Sequence, residues 1–193
     1  MCFRITLLLL GLFGSLRGSP LSSKISDDLN DIDYILFVKD ENPFEFKIDV
    51  DPLKLLDHGF NPEHPTKILV HGWVVSGYGF AQEFAEAYHQ TGDFNVIGID
   101  WDRLATIENY LGAAINSNRV GDHVGQYLVV NTLMNALGQS PGKIQAIGHS
   151  LGAHAVGHIG RTARAASGSN IARVTGNISF FRVKILFKES RNA

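Results

Sequence analysis

Ser150 stands in the stretch Gly148-His149-Ser150-Leu151-Gly152, within the run "IQAIGHSLGAHAVG". The G-x-S-x-G spacing is that of a nucleophile elbow, where a sharp turn from a strand into a helix presents a serine hydroxyl to substrate. Alone the pattern is weak, but here an apolar β-like run precedes it and a helix rich in small residues follows. Glycines at 148 and 152 leave out side chains that would collide with backbone in so tight a turn. Leu151 falls at the start of the helix, where its N–H can face a developing oxyanion. A second segment, Val70-His71-Gly72-Trp73, also follows a strand-like run and offers the N–H of Trp73 as the other half of an oxyanion hole. The His71 imidazole is read as a satisfied turn histidine without a catalytic part.

A serine hydroxyl needs a base, and the base needs an orienting acid. Folds with this elbow place them in the order serine, acid, histidine. After Ser150 the chain has no aspartate, one glutamate (Glu189) and two histidines, His154 and His158. Both histidines fall on the helix that leaves the elbow, whose side chains point back along it, so they read as helix-packing residues. Upstream, Asp100 and Asp102 close the "NVIGID" strand, on the wrong side of Ser150, while His89 and His123 belong to predicted helices and His58 and His64 to the loop before the sheet. The expectation is therefore a nucleophile with neither triad acid nor base in this chain. Gly138 to Lys143 is a near-miss to a phosphate loop: its glycines are too close together and no Ser or Thr follows the lysine.

The elements that must position Ser150 alternate between strand and helix patterns. "DYILFVKDE" predicts a strand, and a polar, proline-punctuated connection from Asn42 to Pro65 holds phenylalanines that hint at a second, short one. Lys67 to Val70, "NVIGIDW", "KIQAIGHS" and "IARVTG" read as further strands. Phe80, Phe84, Ala87 and Tyr88 mark a helix, and Val124, Tyr127, Leu128, Leu133 or Met134 and Leu137 mark one apolar face of a helix running from Val120 to Gly138. This alternation predicts an α/β fold with a mostly parallel sheet and helices on both faces.

With 193 residues, 45% of them hydrophobic, the chain can bury the core of one globular domain. A net charge of -2 gives no basic field for nucleic acid. Residues 1–18 read as a secretory signal peptide: a positive start, the apolar run Ile5 to Leu12 and a small-residue stretch with cleavage near Gly18. The apolar run is short of the roughly 20 residues that a membrane span requires. Cys2, the one cysteine, lies inside that segment, so a mature chain would have no disulfide and no cysteine ligand for zinc.

The blocks "PTKILVHGW", "GDFNVIGIDW", "VGDHVGQYL" and "IGHSLGAHAVGHIG" resemble, in order, those of the animal secreted neutral lipases, the pancreatic-lipase-like and phospholipase A1-like α/β-hydrolases. The resemblance covers Tyr34 to Gly176. It implies an α/β-hydrolase fold and extracellular hydrolysis of carboxylic esters in triacylglycerols, galactolipids or phospholipids, with Ser150 as nucleophile, Trp73 and Leu151 as oxyanion donors, contact with a lipid interface and no metal or other cofactor. Where such proteins continue after "TG" with a leucine-aspartate-proline block carrying the triad acid, this chain has Asn177-Ile178-Ser179, a glycosylation sequon if the chain is secreted. From Arg161 onward seven Lys or Arg residues face one acid, and Phe180 to Phe187 is an apolar run. Residues 177–193 are thus expected to be a non-family tail on a C-terminally truncated hydrolase domain that lacks its last strands. Three outcomes follow: a product with little activity, a secreted lipid-binding or decoy protein that keeps the scaffold without the chemistry, or an active esterase that uses an unrecognised base.

Overall fold

The computed structural model describes residues 28–177. The signal-peptide reading, Cys2 and the tail beyond Asn177 lie outside the described residues. Six strands form one sheet: β1 (Asp33–Phe37), β2 (Phe44–Phe46), β3 (Thr66–Val70), β4 (Asn95–Asp100), β5 (Ile144–His149) and β6 (Arg173–Asn177), in the order β2-β1-β4-β3-β5-β6. The pairs β3–β4, β3–β5 and β5–β6 are parallel, whereas β1 runs antiparallel to both β2 and β4. The sheet is mostly parallel, as expected for the α/β-hydrolase fold. The predicted first strand is cut to Asp33–Phe37, and the expected short strand after it is β2. The connection read as wholly irregular also contains a helix of its own, α1 (Leu53–Asp57), which buries Leu55.

Both faces of the sheet are covered. On one, Ile68, Val70, Ile97, Ile99, Ile144 and Ala146 join the apolar sides of α3 (Tyr110–His123) and α4 (Leu151–Ser167) in the larger core. On the other, Ile35, Leu69 and Val96 meet α2 (Gly77–His89). The seam of α2 is not the aromatic stripe expected from sequence. Gly77, Ala81 and Ala85 are buried, while Phe84 and Ala87 face solvent. The helix lies too close to the sheet for larger groups: a Cβ on Gly98 of β4 would come within 2.5 Å of the Ala81 Cβ. Phe80 and Tyr88 pack along the border of this smaller core.

The long helix predicted from Val120 begins earlier, at Tyr110, and changes pitch. After His123 the chain continues as a π-helix over Val124–Ala136, in which the Leu137 amide donates to the Thr132 carbonyl and the Thr132 hydroxyl to the Tyr127 carbonyl, each five residues back. The wider turn carries Val124, Leu128, Val129 and Leu133 into the core and leaves Tyr127 exposed, which a 3.6-residue period had assigned inward. Gly138, in a left-handed conformation at φ 68°, terminates the segment where sequence places its end.

α3 crosses α4 at Gly121, where a Cβ would lie 2.5 Å from the Cβ of His158 and would press on the Ala155 carbonyl. Asp122 ties the same crossing, accepting from the Thr162 hydroxyl at 2.7 Å and from His158 Nδ1 at 3.0 Å. A Gly121→Ala substitution is expected to destabilise the protein by about 1–3 kcal/mol through overpacking, read as a lower midpoint in urea with an unchanged slope. An unchanged midpoint would mean that the two helices can separate freely.

Candidate active site

Ser150 occupies the junction between β5 and α4, and its backbone is strained: φ 54°, ψ −119°. Positive φ is uncommon for a residue with a Cβ and persists only where the surroundings dictate it. Here they do. A Cβ on Gly148 would run into the backbone of Gly152, and one on Gly152 would run into the Val70 carbonyl and lie 2.5 Å from the His71 carbonyl. Gly72, across from the elbow, would place a Cβ 2.8 Å from the Ser150 Cβ and 3.0 Å from the His149 carbonyl. Strand β5, the start of α4 and the turn after β3 are thus as close as backbone allows, with the serine at their meeting point.

That junction follows from register. Val70 pairs with Gly148 in the parallel β3–β5 ladder, so the residues after each, His71-Gly72-Trp73 and His149-Ser150-Leu151, leave the sheet side by side. On the far side of β5, His149 pairs with Asn177, and the Ser150 amide donates to the Asn177 carbonyl at 2.8 Å. The Ser150 side chain makes no capping bond to α4, so the hydroxyl is not spent on its own helix. Leu151 is the first residue of α4, and its amide belongs to the first-turn donors that a helix leaves without intrahelical acceptors. Among the described residues the Trp73 amide likewise donates to no backbone acceptor.

The Trp73 side chain is fixed: its indole Nε1–H donates to the Thr106 carbonyl at 2.8 Å and its ring meets Tyr110 edge-on at 5.2 Å. Val74, the next residue, has φ 57°, a conformation a β-branched side chain rarely takes. The two oxyanion candidates, Trp73 and Leu151, therefore each adjoin a strained residue, Val74 and Ser150.

His71 is fully buried. Its Nδ1 faces the Gly72 carbonyl at 2.7 Å, and its Nε2 receives the Trp101 amide at 3.0 Å. Gly72 offers only an acceptor and Trp101 only a donor, so the partners assign the neutral ring with its proton on Nδ1. Asp100 Oδ1 lies 3.3 Å from the same Nε2. Treating that approach as an ion pair would require a second ring proton, at the expense of the Trp101 bond. Burial, the largest single influence on Asp100, pushes its carboxyl up, and the amides of Asp102 and Tyr78 act against it by donating to the charged form, whereas an unprotonated His71 Nε2 cannot donate to the carboxylate. Given the tautomer, the two amides are the donors that matter.

His149, next to the serine, tilts its ring toward Phe80 at 6.2 Å, and the remaining histidines are dispersed. His58 stacks on Phe44, His64 Nε2 meets the Asn61 side chain and His89 Nε2 faces the Phe94 carbonyl. His123 is tilted against Tyr127, and burial holds its pKa below the ordinary value. His158 does pack between helices, through Asp122, but His154 does not: it points to solvent, because the inward positions of α4 are Leu151, Gly152, Ala155, Val156 and Ile159. Asp100 sits on β4, separated from β5 by β3, and Asp102, exposed, begins a 3₁₀ turn. Among the described residues no imidazole or carboxylate hydrogen-bonds the Ser150 hydroxyl.

Strain at Ser150 gives a direct test. Replacing it with glycine relieves about 1–3 kcal/mol of backbone strain, offset by roughly 0.5–1 kcal/mol of added chain entropy in the unfolded state. Ser150→Gly is therefore expected to melt above Ser150→Ala by a few degrees in calorimetry. Equal melting temperatures would show that the turn imposes no strain.

The Lipase family profile matches residues 17–183. Over 143 residues the chain is 35% identical to pancreatic triacylglycerol lipase of Oryctolagus cuniculus, an alignment that covers 73% of this chain and 29% of that protein. It is 31% identical over 144 residues to pancreatic lipase-related protein 2 of Mus musculus, with 73% and 28% covered. The corresponding rat protein is 33% identical over 144 residues, with 73% and 29% covered. The aligned region thus spans less than a third of the length of these curated relatives.

Proposed function

The chain belongs to the lipase family, and from that premise we propose that Ser150 is the nucleophile of a secreted carboxylic ester hydrolase acting on lipid esters. The observation that carries this reading is the strained Ser150 itself, held at φ 54° by three glycines with its hydroxyl left uncapped. In the reaction the serine oxygen adds to the ester carbonyl carbon and its proton passes to a base. The carbonyl oxygen takes up negative charge where the amides of Trp73 and Leu151 can donate to it. Collapse expels the alcohol, which takes that proton back from the base; water, losing a proton to the same base, then adds to the acyl-enzyme, and the acid departs as the proton returns to the serine oxygen. The names of the relatives point to triacylglycerol; a phospholipid ester would present the same carbonyl.

The base in this scheme has no counterpart among the described residues. The 193-residue polypeptide alone is therefore proposed to hold the nucleophile and oxyanion half of the site with little turnover. Loss of triad members lowers turnover by about 10⁴ to 10⁶, leaving what the oxyanion hole and binding supply. Secretion rests on the apolar leader expected at residues 1–18; no helix among the described residues is long and apolar enough to cross a membrane.

A second reading, lipid binding without chemistry, is favoured by a strip of exposed apolar residues beside Trp73. Val74, Ile107, Tyr110, Leu111 and Ile115 are all more than half exposed, and Leu111 and Ile115 stand one turn apart on α3. Two measurements test the readings. The purified chain is expected to hydrolyse a soluble short-chain ester near the uncatalysed rate, with Ser150→Ala changing little; robust turnover abolished by that substitution would sink the claim that the base is absent. On zwitterionic vesicles, Leu111→Asp with Ile115→Asp is expected to weaken adsorption at least tenfold, since each buried leucine or isoleucine contributes about 1.5–3 kcal/mol. If the parent chain does not adsorb at all, the binding reading fails.

A further inference from the structure

We propose that His71 is a positioning residue whose Nδ1–H fixes the peptide plane carrying the Trp73 N–H; the inference rests on the reading of that N–H as an oxyanion donor. The carbonyl of Gly72 and the amide of Trp73 belong to one peptide unit. A trans peptide is planar and its C=O and N–H point in opposite directions, so whatever holds the oxygen also aims the proton. His71 Nδ1 holds that oxygen at 2.7 Å.

The ring in turn has no freedom to release it. Trp101 donates its backbone amide to Nε2 at 3.0 Å and its indole N–H to the His71 carbonyl at 3.0 Å, gripping the histidine by side chain and main chain together. Both Trp101 and His71 are fully buried, and their rings lie 5.6 Å apart. The neutral Nδ1–H tautomer is the one form that satisfies both partners, because the ring must donate at one nitrogen and accept at the other. Trp101 thereby selects the proton position that His71 needs to hold Gly72.

The plane so fixed lies at the elbow. Gly72 is the residue whose Cβ would touch the Ser150 Cβ, so a rotation of the Gly72–Trp73 peptide moves a donor within a few bonds of the nucleophile. Gly72, with no side chain, does little to resist such a rotation by itself. The φ of 57° at Val74 restrains the far end of the turn, and the imidazole restrains the near end. His71 touches no reacting atom; it acts through the peptide of its neighbour.

The chain has two tryptophans, and they are the two residues concerned. Selective ¹⁵N-tryptophan labelling of the full chain therefore gives two backbone amide signals, one for Trp73 and one for Trp101. His71→Asn places an amide nitrogen as many bonds from Cα as Nδ1, keeping the donor to Gly72 and losing the acceptor for Trp101. His71→Gln does the reverse. The expected pattern is crossed: Asn shifts the Trp101 amide and leaves Trp73 in place, whereas Gln shifts Trp73 and leaves Trp101. A Trp73 signal that moves equally in both variants, or in neither, overturns the proposal. Should either variant unfold, long-range ¹H–¹⁵N correlation on the His71 ring of the unaltered chain decides alone: protonation at Nδ1 supports the proposal and at Nε2 ends it. The two amide signals read the Trp73 plane without any reaction at Ser150, so the crossed pattern is expected unchanged in a Ser150→Ala background; failure of the nucleophile assignment, read from ester hydrolysis, and failure of the positioning proposal, read from these signals, are thereby distinguished.

Discussion

Steric exclusion at a single point organises this molecule. Ser150 keeps a backbone conformation that a side-chain-bearing residue avoids, and it does so because β5, the first turn of α4 and the turn after β3 converge with no space between them. Glycine at 72, 148 and 152 is what lets three backbones come so near. Any side chain at those positions would push an element outward, and the serine would relax toward an ordinary turn. Strain of this kind is stable only in a rigid setting. That setting is the parallel ladder of β3 with β5 beneath it and the apolar face of α4, where Leu151, Ala155, Val156 and Ile159 are buried against the sheet.

Polar satisfaction does the rest on the other side of the elbow. A histidine buried beside an aspartate would be a costly charge if the two formed an ion pair in isolation. The ring instead stays neutral between a carbonyl and an amide, and Asp100 has the amides of Asp102 and Tyr78. Trp101 fills the space behind, so every polar atom of the His71 ring is matched without water. Hydrogen bonding here serves geometry more than stability, since each bond nets only about 1 kcal/mol while an unmatched buried partner costs more.

Much of this could be read from residues alone, for physical reasons. Buried parallel strands are continuous apolar runs, so "KILV", "NVIGI" and the segment before Ser150 announce themselves, and a G-x-S-x-G at the end of such a run announces the turn. What escaped were features that depend on distance or pitch. The α2 seam of Gly77, Ala81 and Ala85 is invisible to a search for large apolar groups, since it is made by their absence. The π-helical segment violates the 3.6-residue period on which Tyr127 was assigned inward. His154 follows the same helix as His158, and the facing of one residue against another depends on Asp122, which belongs to a different helix. His71 carried no signal beyond its place before a glycine; its two partners lie in the next peptide and thirty residues away.

Topology also explains why no nearby aspartate can complete the site. The sheet order puts β4 on one side of β3 and β5 on the other, so the carboxylate of Asp100 is two strand spacings, about 10 Å, from the strand that carries Ser150. A hydrogen-bonded relay needs heavy atoms within roughly 3 Å at each step. The open side of β5 belongs to β6, whose last described residue, Asn177, already lies against the serine through its carbonyl. Asp100, confined to the opposite flank, accepts instead from the amides of Asp102 and of Tyr78 on α2.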